Sequence, residues 1–168
     1  MFRLRFAPSQ LKALAARFPA LADDPVLAIA GRARARGYLT KREFMALGDW
    51  KTPRSRPRRA GNTAAVVHEA TRLALGATSV ELKIGILRTL EGVEWPTASV
   101  ILHLCDRAPF PILDVRALWS AGLHGTPRYT TALWVEYVTF TRGLARRARV
   151  SMRDVDRALW QYSKENQR

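Results

Sequence analysis

The sequence is poor in the residues that metal and redox chemistry need. Its 168 residues hold a single cysteine, Cys105, and three histidines, His68, His103 and His124. One cysteine closes no internal disulfide and has no second thiolate with which to build a zinc or iron–sulfur site. The histidines show no ligand spacing, so each reads as a satisfied core or surface residue; no metal and no cofactor is expected. Long apolar runs are missing too. Each is broken by Arg, Asp or Lys well short of a bilayer's thickness, so no membrane segment is expected. The opening Met1-Phe-Arg-Leu-Arg-Phe6 alternates charge with apolar residues and does not read as a secretory signal. A reducing, cytoplasmic location is the default expectation, associated with the nucleoid if the partner is DNA.

Acids are also short. Fourteen Asp and Glu face 28 Lys and Arg, a net charge of +14. Arg outnumbers Lys, and a guanidinium forks onto phosphate oxygens, so the balance suits a polyanionic partner. A GC-rich coding sequence would inflate Arg and Ala, but it would not thin out the acids. Double-stranded DNA is the expected partner. Other nucleic acid, an anionic membrane surface and plain solubility remain the alternatives.

What is present in quantity is helix. A hydrophobic fraction of 48% fits a globular chain, and the expected class is all-α, a compact helical domain of about eight helices across 1–168. Leu11, Leu14 and Phe18 share one face of a helix over 8–18. A second covers 24–37 and closes on Gly37, with Arg32, Arg34 and Arg36 largely on its polar side. Thr40-Lys-Arg-Glu43 is a capping box opening a helix that reaches about Trp50. Residues 51–61, with two prolines, five cations and no acid, read as an exposed basic loop. Helix resumes at Asn62 as N-cap and ends at Gly76; a box at Thr78-Ser-Val-Glu81 opens the next. Further helices are expected from Pro96 to about Asp106, Ile112 to Gly122, Thr130 to Ala148, and 152–165 behind a box at Ser151–Asp154. Asp106 and Arg107 read as a surface turn. No repeat and no hairpin strand is visible; only 2–6 look extended.

Residues 78–122 read helix, tight turn, helix, proline-rich turn, helix. The turn Leu90-Glu-Gly92-Val-Glu-Trp-Pro96-Thr-Ala98 resembles the L-x-G-V-x-x-x-T-A hairpin of the helix-hairpin-helix DNA glycosylases. Downstream, Phe110-Pro-Ile-Leu-Asp114-Val resembles that superfamily's Asp-bearing segment at close to the usual separation. The resemblance implies a helix-hairpin-helix within a glycosylase-type fold. It also implies that backbone donors around Gly92, Val93 and Glu94 hold a DNA phosphate, and that Asp114 is the essential carboxylate. Breaking an N-glycosidic bond builds positive charge on the sugar, which a carboxylate stabilises while it orients water. Pro96 stands where members with lyase activity carry lysine, so the implied enzyme is monofunctional, hydrolysing the bond to a flipped damaged or modified base. The cysteines of the iron–sulfur members are absent. Glu94 replaces the hairpin's second glycine. It motivates the alternative, a non-catalytic nucleic-acid-binding module of the same fold, in repair or phage defence.

Each site residue also has a plainer reading. Asp114 suits the N-terminus of a helix, and Gly92 suits a helix end. Trp50, Trp95, Phe110 and Trp119 are the aromatic candidates for a base pocket; a tryptophan anchoring a helix end in the core is equally ordinary. Lys51, Arg54, Arg56, Arg58 and Arg59 are candidate phosphate contacts along the basic loop. Arg116, two residues after Asp114, either meets phosphate or is solvated. Arg142, Arg146 and Arg149, at i, i+4 and i+7 with Arg147 beside them, form a cationic stripe without an intervening Glu. Glu69 and Glu81 are further carboxylates, the latter accounted for by its cap.

Overall fold

A computed structural model describes residues 2–19, 24–125 and 127–167. Among them the chain is all-α, with ten helices and no strand. These are α1 (Leu11–Ala16), α2 (Asp24–Arg36), α3 (Lys41–Lys51), α4 (Arg56–Ala60), α5 (Ala64–Gly76), α6 (Val80–Leu87), α7 (Trp95–Cys105), α8 (Val115–Ser120), α9 (Thr131–Ala148) and α10 (Met152–Asn166).

The helix ends follow local chemistry. Thr40 and Glu43 form the expected capping box of α3, and Ser151 and Asp154 that of α10. Gly37, beyond α2, takes φ 84°, and α2 stops there. Two caps lie one residue later than the sequence suggests. Thr63 rather than Asn62 caps α5, and Ser79 rather than Thr78 caps α6. Asn62 is thereby released for another bond, described below.

The largest correction concerns 51–61. Pro53–Ser55 forms a 3-10 turn and runs into α4, so the segment is largely helical. Proline in a first turn lacks only a donor that would be unpaired anyway, so Pro53 and Pro57 start these elements.

The chain divides into two compact units, one of residues 1–19 and 109–168, the other of 20–108. In the second unit α7 is the axis. Nine of its eleven residues are buried, so it is apolar nearly all round, and α2, α3 and α6 pack on it. Phe44 and Leu47 from α3, Ile84 and Leu87 from α6, and Ala33 from α2 fill this core. The buried Lys83 ammonium donates to Asp106 Oδ2 at 2.5 Å and to the carbonyls of Ala74 and Leu75 at 3.3 and 3.0 Å. Asp106 is therefore a buried acceptor and no surface turn, because the ends of α5 and α7 need a shared cation.

In the first unit α10 packs between α1 and α8 and also meets α9. Leu11, Leu14, Leu118, Trp134, Tyr137, Val155 and Leu159 are its buried core. Residues 2–6 form no helix and bend at Arg5 and Phe6, and their backbone is tied to the end of α8. Arg3 N–H donates to Ala121 O at 2.9 Å, and Arg5 N–H to Ser120 O at 3.0 Å.

Candidate nucleic-acid interface

The cationic segment before and along α4 separates its arginines into two kinds. Arg54, Arg56 and Arg58 are exposed, and Lys51 is half-buried. Arg59 is fully buried, which corrects its expected role as a phosphate contact. Its guanidinium donates to Asp49 Oδ1 at 2.7 Å, to Thr52 O at 3.1 Å and to the Ser55 hydroxyl. It lies against Gly48 of α3, where a Cβ would strike it. Burial first, and then the charge of Arg56, push its pKa down. Asp49 also pairs with Arg56. Asp49 thus serves two arginines, while Arg54 and Arg58 have no carboxylate partner among the described residues. Lys41 Nζ donates to Ala60 O at 2.9 Å at the end of α4.

The turn between α6 and α7 leans on this same helix. Gly92 is buried at φ 70°, and a Cβ there would lie 2.8 Å from Arg59 N and 3.0 Å from Arg58 Cβ. Glycine is needed for two reasons: a left-handed backbone and the close approach of α4. Asn62 fixes the other side of the turn. Its Oδ1 accepts from Glu91 N–H at 2.9 Å, and its Nδ2 donates to Glu91 O at 2.9 Å and Arg59 O at 3.0 Å. Val93 N–H donates back to Leu90 O at 3.1 Å, and Val93 is buried. The approach that the glycine permits is taken by the chain itself, and the Val93 N–H expected on a DNA phosphate is already bonded. Glu94 is exposed at the start of α7, 3.6 Å from Arg88.

Asp114 is the N-cap of α8, half-buried, its Oδ1 accepting from Arg116 N–H at 2.9 Å. Burial, and next the negative charge of Asp114, push the Tyr129 phenol above its usual range. The fully buried Tyr137 phenol is pushed up by burial, then by Asp156 and Asp114. Asp114 thus acts electrostatically on two phenols that are themselves partly or fully enclosed. Sequence reasoning misses these phenols, since Arg128-Tyr129 carries no motif. Arg116 is exposed, its guanidinium 5.7 Å from the Trp160 ring.

Of the four aromatics, two are core residues, which corrects their reading as a base pocket. Trp95 is buried with the Arg88 guanidinium 4.2 Å over its ring. Phe110 is buried, stacked on Trp134 at 6.0 Å, with the Arg142 guanidinium 4.6 Å from its ring. Trp119 is half-buried, with Arg5 4.5 Å from its ring. Trp50 is half-buried at the end of α3. The expected cationic stripe is also broken. Arg142 Nε donates to Pro109 O at 2.8 Å, and Arg149 leaves the helix as its left-handed C-cap at φ 51°. Arg146 and Arg147 remain exposed on the last turn of α9.

No described helix is long and apolar enough to cross a membrane. Compared with protein families, with curated proteins and with solved structures, the chain matches none.

Proposed function

We propose that the protein binds double-stranded DNA through phosphate contacts from the exposed cations before and on α4, without acting chemically on it. One observation carries this reading. Arg54 and Arg58 project from a segment whose only acid within 49–60, Asp49, is already shared by Arg56 and Arg59. The buried Arg59 holds that segment to α3, so the outer cations stand on a fixed base. Phosphate contacts of this kind give affinity that falls steeply with salt and varies little with sequence.

Binding of the wild type and of Arg54→Gln/Arg58→Gln to one 20-base-pair duplex, followed over a salt series, tests it. Loss of two contacts should flatten the slope of log K against log salt by about 1.8, at about 0.9 per phosphate. An unchanged slope would sink the reading.

A second reading is favoured by the position of Asp114. As a half-buried carboxylate at a helix start, it suits a hydrolase that releases a flipped base without lyase chemistry. Duplexes that each carry one altered base test this: alkali-sensitive cleavage, lost in Asp114→Asn, supports it.

A further inference from the structure

The 20–108 unit contains a second arginine cluster, away from α4 in sequence and built differently. The C-terminal ends of α2, α5 and α7 enclose a pocket of about 480 Å³. Arg34, Arg36, Arg72 and Arg107 line it, with Cys105 and Asp106 on its wall. We propose that this pocket is a binding site for a phosphate group, carried either by a free nucleotide or by the end of a nucleic-acid strand. The proposal is independent of duplex binding by α4.

The plainest alternative is that four arginines gather here only to offset three helix dipoles. Cations are favoured at helix C-termini, each of which carries roughly −0.5 of an elementary charge. Two of those ends are served by only one of the four arginines and by a lysine. Arg34 donates to Leu104 O at 2.7 Å, on the last turn of α7. Lys83 takes the Ala74 and Leu75 carbonyls of α5 and also neutralises Asp106. Of the four arginines only Arg36 pairs with a carboxylate among the described residues, that of Glu43, which Arg32 also holds. Arg72 and Arg107 have neither a carboxylate nor a carbonyl partner among those residues, and both are exposed at the pocket. After the three helix ends and Glu43 are counted, a positive surplus remains, carried by Arg72 and Arg107.

The geometry favours a compact anion. Three helix ends set the walls, so the lining arginines come from different elements. Forked donors from separate directions suit the several oxygens of a terminal phosphate. The pocket is within the range of small-ligand sites. Cys105 adds no competing charge, since burial pushes its thiol up to about 12. The wall beside it is apolar, from Ala35 and Leu75, with room for a part of the ligand beyond the phosphate.

Calorimetric titration of the whole protein with inorganic pyrophosphate tests the site. Arg72→Gln/Arg107→Gln is the informative variant, because both side chains are exposed and neither holds the fold. Arg54→Gln/Arg58→Gln serves as the control on α4. The expected result is one saturable site in the wild type and in the control, weakened at least thirtyfold in the pocket variant. Absence of a saturable site, or equal binding in all three proteins, would overturn the proposal. Competition then separates the sources. Displacement of pyrophosphate by ATP but not by oligonucleotides assigns a free nucleotide. Displacement by a 5′-phosphorylated duplex but not by its 5′-hydroxyl counterpart assigns a strand end. Displacement by both duplexes equally would mean internal phosphates suffice, and would overturn the terminal-phosphate site. An unchanged salt slope in the α4 variant with intact pyrophosphate binding would sink the duplex reading and leave this one standing.

Discussion

Gly92 is covered by its own chain, whereas Asp114, at the start of a six-residue helix, is half-exposed. Around Gly92 the turn is held internally: Asn62 binds both backbone groups of Glu91, and α4 occupies the space a side chain would need. Around Asp114 a cap is made, and the charge of the carboxylate still raises the pKa of the Tyr129 phenol. The difference separates two meanings of a motif-like residue. One is fixed by packing and needs no ligand to explain it. The other has a structural duty that leaves a chemical one open.

The largest effect should come from breaking the packed side of this contrast at Arg59. Arg59→Ala removes a buried side chain, its hydrogen bonds, and half of the pairing of Asp49. Breaking such a buried pair costs about 3–5 kcal/mol. For a chain of this size that is a fall in Tm of roughly 10 °C. A loss below about 1 kcal/mol in chemical denaturation, the scale of an exposed pair, would mean α4 is held loosely. The fixed base for Arg54 and Arg58 would go with it.

Gly92→Ala comes next, because two penalties coincide. The left-handed backbone costs an L-residue roughly 1–2 kcal/mol, and the new methyl group meets Arg59 N, which is backbone and cannot swing aside. With overpacking added, a total of about 3 kcal/mol is expected by urea unfolding. The salt slope for DNA binding should stay as it was. A large fall in DNA affinity with little loss of stability would instead show that the turn touches the ligand.

Much of the fold is legible in the sequence, and the failures share a cause. Periodicity and capping boxes locate α3 and α10 because those signals are local: Thr40 bonds Glu43, and Ser151 bonds Asp154. The 51–61 segment misleads because Arg59 looks like its neighbours in a run of cations. Only the tertiary partners Asp49 and Gly48 show that it faces inward. Trp95 and Phe110 mislead in a similar way. The burial of each depends on packing that no local pattern announces, and arginines lie over both rings. Asp114 is readable as a cap, whereas its neighbour Tyr129 is not, because fifteen positions of chain separate them.

Glu43 sharpens the contrast among carboxylates. Burial alone would raise its pKa, but bonds from the Thr40 backbone and hydroxyl and from Arg36 and Arg32 outweigh this and lower it. A folded pKa below the unfolded value gives stability that is complete above the unfolded pKa, about 4.3. That stability is lost as pH falls through the folded pKa. Glu43→Gln should cost about 1–2 kcal/mol at neutral pH, as for hydrogen bonds to charged groups. It should also flatten the stability curve below about pH 4. An unchanged acid limb would place the pH dependence elsewhere.

Asp114→Asn should cost least, and it bears most directly on chemistry. Asn caps a helix about as well as Asp, so the bond from Arg116 N–H survives and the unfolding free energy should change by only about 0.3 kcal/mol. Removing the charge also removes its repulsion on the Tyr129 phenolate, so the Tyr129 phenol should titrate at lower pH in the variant. That shift, read by ultraviolet difference spectra, checks the action of the carboxylate charge on the phenol whatever the function. Asp114→Ala supplies the structural scale, because losing the cap costs about 1 kcal/mol. If Asp114→Asn keeps DNA affinity and stability while base release disappears, the carboxylate acts on substrate. If wild type and both variants release no base, and only Asp114→Ala loses stability, the cap is the whole of its duty and binding without chemistry stands.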